Sequence, residues 1–247
     1  MKILHIVRHA EAADREKKSP DFKRPLVKRG AKDARAVARR LRKSGHKADY
    51  MVSSPAHRAL ETALVFAKEL EFPSKEIEQV QAIYENADNA SLLFLVQNIP
   101  ASSSQAFLFG HDPSFSDFAR YLIADFAGTM PKGAVISVGF DCETWTDVGP
   151  GAGKLLLFDY PISKPEKARR FKSLRRETAA MLAAAMDEKL SGMDPKAAKK
   201  MKAYTRKVSR RVAERFLALT PHLPAGTGIG DKNPRRTEGG PVDAGEK

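Results

Sequence analysis

The chain has 247 residues, 42% hydrophobic and 30% charged, a balance ordinary for a soluble globular protein with room for one α/β domain and something smaller. Its one cysteine, Cys142, excludes an intrachain disulfide and a cysteine-built zinc site, and no apolar run approaches the roughly 18–20 residues of a membrane span. The formal net charge of +13 is lopsided: Lys164 to Lys247 hold 21 Lys/Arg against 10 Asp/Glu, a net +11, which leaves +2 for residues 1–163.

The first segment, "MKILHIV", is too short for a signal peptide and runs into Arg8-His9 rather than a small-residue cleavage site, so a cytoplasmic location is expected. An apolar run that stops at a cationic pair reads as a buried strand, Lys2–Val7, delivering Arg8 and His9 to its tip. Further strands are expected at Asp49–Ser53, Glu78–Ala82, Ala106–Phe109, Ala134–Phe140 and Lys154–Phe158. Between the early ones lie helical patterns. "GAKDARAVARRLRKSG" puts Ala34, Val37, Ala38 and Leu41 on one face; "PAHRALETALVFAKEL" does the same with Leu60, Ala63, Leu64, Ala67 and Leu70. "NASLLFLVQNI" and "DPSFSDFARYLIADF" follow, the latter with Asp112 as N-cap and Pro113 in the first helical position. Alternating strands and helices predict a three-layer α/β/α domain around a mostly parallel sheet.

In such sheets ligands gather beyond the carboxyl ends of the strands. Arg8 and His9 stand at one such end, His111 ("AFLFGHDP") at another, and Arg58 ("SSPAHRALETA") opens the helix after a third. Converging, they make a cationic pocket. Guanidinium forks match phosphate oxygens, and an imidazole can attack phosphorus without a metal. The chemistry read from these residues is phosphoryl transfer to a histidine, followed by hydrolysis. The remaining histidines read as incidental: His5 packed in its strand, His46 in a turn, His57 on a helix surface, His222 near the tail. Trp145 and Tyr84 read as packing residues.

The segments "IVRHAEA", "KRPLVKRGAKDARAVARRL", "DYMVSSPAHRALETA", "IYE" and "LFGHDPSFSDF", in that order over roughly residues 1–160, resemble the histidine phosphatase superfamily, most closely its SixA-type phosphohistidine phosphatases. The resemblance implies a phosphoglycerate mutase-like fold, no cofactor and no metal. It implies that His9 attacks phosphorus, that Arg8 and Arg58 hold the phosphoryl oxygens, and that His111 donates to them as charge redistributes. The resemblance makes Arg24, in "KRPLVKRG", the expected rim residue for an anionic substrate. Glu85, after "AIY", is the candidate general acid, with Glu11 and Asp14 behind it. Ala10 stands where many members of the superfamily carry glycine after Arg-His.

The C-terminal third predicts a helical hairpin. "PEKARRFKSLRRETAAMLAAAMDEKL" spaces Phe171, Leu174, Thr178, Met181, Leu182 and Ala185 at helical intervals. "SGMDP" breaks the pattern, with Asp194 capping and Pro195 opening a helix that carries Met201, Tyr204, Val208, Val212, Phe216 and Leu219 on one side. These stripes are expected to face each other or the first domain. The expected organisation is 1–163 for the phosphatase domain, 164–224 for the basic helical extension and 225–247 for a Gly-, Pro- and charge-rich disordered tail. The expected partner of the active site is a phosphohistidine-bearing protein or a small phosphorylated substrate. The basic helices could recruit an acidic partner. Aromatic residues are sparse there, which argues against nucleic acid, and no membrane is expected. Two other functions fit the same residues: a phosphatase or mutase for small phosphate esters, and a non-catalytic phosphate-binding module that recruits a partner.

Overall fold

The computed structural model describes residues 1–14, 20–85, 87–162 and 164–219. Six strands form one sheet: β1 (Lys2–Arg8), β2 (Tyr50–Ser53), β3 (Glu78–Gln79), β4 (Gln105–Gly110), β5 (Val135–Phe140) and β6 (Lys154–Asp159), in the order β3-β2-β4-β1-β5-β6. β1, β2, β3 and β4 run parallel; β5 is antiparallel to both β1 and β6. The helices are α1 (Lys28–Lys43), α2 (His57–Leu70), α3 (Asn89–Gln97), α4 (Ser114–Leu122), α5 (Lys164–Met193) and α6 (Pro195–Leu219).

Strand alternation sends successive side chains to opposite faces. Leu4 and Ile6 of β1, with Ala106 and Leu108 of β4, meet the α3 and α4 side, where Leu92, Val96, Phe115 and Phe118 lie buried. Val7, Phe107 and Phe109 turn the other way, onto Val37 and Leu41 of α1 and Phe66 and Ala67 of α2. The expected three-layer arrangement is what forms. His5 also turns towards the α1–α2 face, fully buried, stacked on Phe107 at 4.1 Å with Nδ1 2.8 Å from Ser137 Oγ. Burial, aided by His46, pushes its pKa down to about 3. Trp145 is buried as well, its indole N–H donating to the Ser103 carbonyl at 2.8 Å.

Two expected boundaries shift. The strand expected over Glu78–Ala82 is only Glu78–Gln79, because a 3₁₀ turn over Gln81–Ile83 buries Ile83 under the sheet. The helix expected from Asp112 begins at Ser114, and Asp112 does not cap it; its carboxylate instead accepts from the Ser116 hydroxyl. That helix also stops at Leu122 rather than Phe126.

The two C-terminal helices pack antiparallel against each other. Asp194 caps α6 as expected, accepting from the N–H groups of Lys196 and Ala197 at 2.9 and 3.1 Å. The expected stripes, however, do not meet. The buried seam consists of Ala179 on α5 and Ala198, Thr205, Ser209, Ala213 and Leu217 on α6, whereas Phe171, Leu174, Met181, Met201, Tyr204, Val212 and Phe216 remain exposed. Small side chains let the two backbones approach closely, and polar contacts hold them there: Thr205 Oγ1 donates to Asp187 at 2.7 Å, and Ser209 Oγ lies 3.6 Å from Met186 Sδ. The side chain of Leu219 and the tail from residue 220 lie outside the described residues.

Candidate active site

β1 and β4 end side by side, Arg8 in register with Gly110. Beyond them His9 N–H donates to the Gly110 carbonyl at 3.0 Å, and the His9 carbonyl accepts from Gly133 at 2.9 Å. The nucleophile candidate is therefore tied on both sides to the strand ends. Two glycines permit this packing. A Cβ on Gly30 would lie 2.1 Å from the Glu11 carbonyl oxygen, so α1 can approach the post-His9 loop only with glycine there; a Cβ on Gly110 would lie 2.4 Å from the Phe115 ring. Ala10 fits its position: buried, with its N–H donating to Thr62 Oγ1 at 3.0 Å, while Thr62 donates to the Arg58 carbonyl at 2.6 Å.

The segment after the loop folds back on itself. Ala12 bridges Leu26, Ala13 N–H donates to Pro25, Val27 N–H donates to Glu11, and Leu26 N–H donates to the Glu61 carboxylate at 2.7 Å. This pairing carries Arg24 to the pocket edge, where its Nε donates to the Ala13 carbonyl at 2.7 Å. Arg58 comes from the first turn of α2, at the head of the buried stripe that continues through Thr62, Phe66 and Leu70.

These elements bring Arg8, His9, Arg24, Arg58 and His111 together. His9 Nδ1 is 2.8 Å from the Ala10 carbonyl, so Nδ1 carries the proton and Nε2 the lone pair. Arg58 Nε donates to that Nε2 at 3.3 Å. The His9 and His111 ring centroids are 5.3 Å apart. Burial is the main reason the His9 pKa falls to about 4, with the charges of Arg58, Arg8 and Arg24 adding to it against the Ala10 hydrogen bond. Burial, then Arg58 and His9, take His111 to about 3. Both imidazoles are neutral at physiological pH. His111 Nε2 lies 2.8 Å from Ser54 Oγ, and its buried Nδ1, like Arg8 Nε, has no hydrogen-bond partner among the described residues. Arg8 Nη1 donates to the Met130 carbonyl and lies 3.6 Å from Asp112 Oδ2.

Sequence reasoning passed over three residues that the fold places here. Ser54 orients His111, and Thr62 joins the Ala10 loop to α2. Asp21 is the third: its carboxylate lies 2.9 Å from Arg58 Nη2 and 2.7 Å from Arg24 Nη1, and its carbonyl accepts from Arg58 Nη1 at 2.8 Å. Partial burial would raise its pKa, but the Arg24 hydrogen bond and the Arg58 charge outweigh that and hold it below the usual carboxylate range. Its spacing three residues before Arg24 in "PDFKRPL" was the available signal. Glu85, by contrast, is exposed, and its carboxylate accepts from Gln81 at 2.7 Å rather than from any of the basic side chains. Its neighbour Tyr84 stands edge-on to His111 at 5.8 Å and to Phe22 at 5.1 Å. Asp14 is exposed, and the Glu11 carboxylate lies 4.0 Å from Arg29 Nε. Among the described residues no cluster of three or more His, Cys, Asp or Glu could hold a metal, and no helix is long and apolar enough to cross a membrane.

A three-layer fold with arginines gathered round two histidines at the strand ends is an arrangement chemically suited to an anion. Comparison with known proteins gives the family. Residues 4–86 match the model of the histidine phosphatase superfamily (branch 1), and an uncharacterized protein of Picosynechococcus sp. is 31% identical over 117 residues, covering 47% of this chain and 70% of that protein. The chain belongs to the histidine phosphatase superfamily, whose members are phosphatases or mutases. Among solved structures it is similar to a phosphohistidine phosphatase SixA from Agrobacterium tumefaciens (TM-score 0.54, 20% identity, 65% of this chain and 99% of that one). It is similar also to one from Nakamurella multipartitia (0.55, 20%, 66% and 97%) and to the protein histidine phosphatase SixA complexed with tungstate (0.52, 22%, 64% and 97%). At these identities the likeness establishes the fold.

Proposed function

We propose that the protein hydrolyses phosphohistidine on a protein substrate, through a phosphohistidine intermediate on its own His9. The observation that carries this is the state of His9: a neutral ring, its Nδ1 proton held by Ala10, its Nε2 lone pair beside Arg58. In the first step Nε2 attacks phosphorus, the P–N bond of the substrate breaks, and the departing imidazole leaves neutral with a proton taken from solvent. In the second, water attacks phosphorus, the P–Nε2 bond breaks with its electrons returning to His9, and inorganic phosphate leaves. Arg8, Arg58 and the unpartnered His111 Nδ1 hold the phosphoryl oxygens as their charge grows. Ser54, donating to His111 Nε2, would keep the Nδ1–H tautomer that this needs. Arg24 serves the anionic substrate at the rim.

The leaving group supports the choice of substrate. A phosphate ester expels an alkoxide and needs a protonated acid, but Asp21 is held ionised by two arginines and Glu85 points elsewhere. A phosphoramidate protonates on nitrogen and does without one. Asp21 has a different part: as a resident anion on Arg58 it must yield to the phosphoryl group, which weakens product binding. The test is a panel of a phosphohistidine-bearing protein against common phosphate esters, with acid-labile label on His9 trapped by rapid quench. Faster turnover of the phosphoprotein with label on His9 is expected; preference for esters, or label elsewhere, overturns the reading.

A further inference from the structure

The hairpin presents two different faces. On α5 Phe171, Leu174 and Met181, and on α6 Met201, Tyr204 and Val212, are between 38% and 64% exposed. A helix turns about 100° per residue, which sets each group on average roughly a third of a turn from its own helix's seam, in the same rotational sense along each chain. Because the helices are antiparallel, equal offsets in the same sense put both groups on one side of the hairpin. By the same reckoning the basic side chains Arg176 of α5 and Lys199, Arg206 and Arg210 of α6 fall on the opposite side, while the exposed Lys189 of α5 falls in line with Phe171, near the hairpin's turn.

The outer margins of the apolar side carry opposite charges. Glu177 and Glu188 edge it on α5, Arg211 and Arg215 on α6; all are exposed, and none has an ion-pair partner among the described residues. The Arg175–Glu214 ion pair at 3.5 Å and the Thr205–Asp187 hydrogen bond set the level of one helix against the other, and they bring Glu177 level with Arg211 and Arg215. A two-fold axis parallel to the helices, lying over the apolar side, would therefore stack α5 of one copy on α6 of the other. Acidic margin would then meet basic margin, twice. We propose that this side is an interface with a second copy of the chain, closing a four-helix bundle whose basic faces point outward. An acidic partner would be drawn to those outer faces instead, and they stay free in the bundle.

Sedimentation equilibrium on the full chain tests this. The expected mass is twice the 27.2 kDa of the chain. Met181→Glu should give a monomer with unchanged helical circular dichroism and unchanged phosphatase activity per chain. Glu177→Arg and Arg215→Glu should each weaken the dimer several-fold, and the double variant should recover most of the loss, a rescue that a folding defect cannot produce. A monomer at tens of micromolar, a dimer indifferent to Met181→Glu, or charge reversals that do not rescue each other would overturn the proposal.

Discussion

The sheet domain and the hairpin bury opposite kinds of residue. Around β1 and β4 the interior is large and apolar: Phe66, Phe107, Phe109, Phe115 and Phe118 are wholly buried. Between α5 and α6 it is mostly small and partly polar, built from Ala179, Ala198, Thr205, Ser209 and Ala213, with Leu217 as the one large buried side chain among the described residues. The space between a sheet and the helices laid on it is filled by large side chains packed to crystal-like density; two helices whose facing residues are small need bulk kept out. The same apolar periodicity thus marks the inside of one region and the outside of the other.

Replacing His9 by alanine should have the largest effect, cutting turnover by at least on the order of 10³-fold with the thermal midpoint unchanged; turnover near the normal rate would remove His9 from the reaction. The contrast between interiors can be broken in two directions. Phe66→Ala empties the sheet core and should cost about 3–5 kcal/mol in urea unfolding. Ala213→Leu overfills the hairpin seam and should cost about 1–3 kcal/mol. A neutral Ala213→Leu would mean that the helices can part without loss.

Acid should act mainly on the sheet domain. His5, His9 and His111 have folded pKa values of about 3, 4 and 3, below the ordinary 6.5. The unfolded chain takes up protons as pH falls through 6.5, while the folded chain refuses them until about 4 to 3. The histidines' contribution to stability therefore drops across that window and levels off below it, where protonation of Asp21 takes over the loss. Urea midpoints against pH should show this, and turnover should keep its nucleophile down to about pH 4. A loss of both centred at pH 6.5 would mean that the imidazoles are solvated. The smallest expected change is in Asp21→Asn: removing the resident anion from Arg58 should tighten inhibition by inorganic phosphate several-fold, and weaker inhibition would make Asp21 a support for Arg58 rather than a competitor.

Most of the sheet domain was legible because its periodicities are unambiguous. Leu4 and Ile6 alternate with His5 and Val7, and Ala34, Val37, Ala38 and Leu41 repeat at helical spacing. Arg8, His9 and His111 were legible because each stands at or beside a strand end, and Arg58 because it opens the helix that follows one. Asp21 was not, since its role depends on Glu11–Ala13 pairing with Pro25–Val27, and that pairing leaves no periodic trace. Phe171, Leu174 and Met181 misled because a stripe of large residues announces a buried face without saying what buries it.

The sequence by itself determined the layers, the strand tips that carry the basic residues, and the Asp194 cap of the last helix, because each depends on neighbours within a few turns or a single strand. Only the tertiary structure decided which carboxylate sits on Arg58, which nitrogen of His9 is free, and which side of the hairpin is left open. Those outcomes depend on distances between segments far apart in the chain, where a gap of one or two ångströms separates a contact from none.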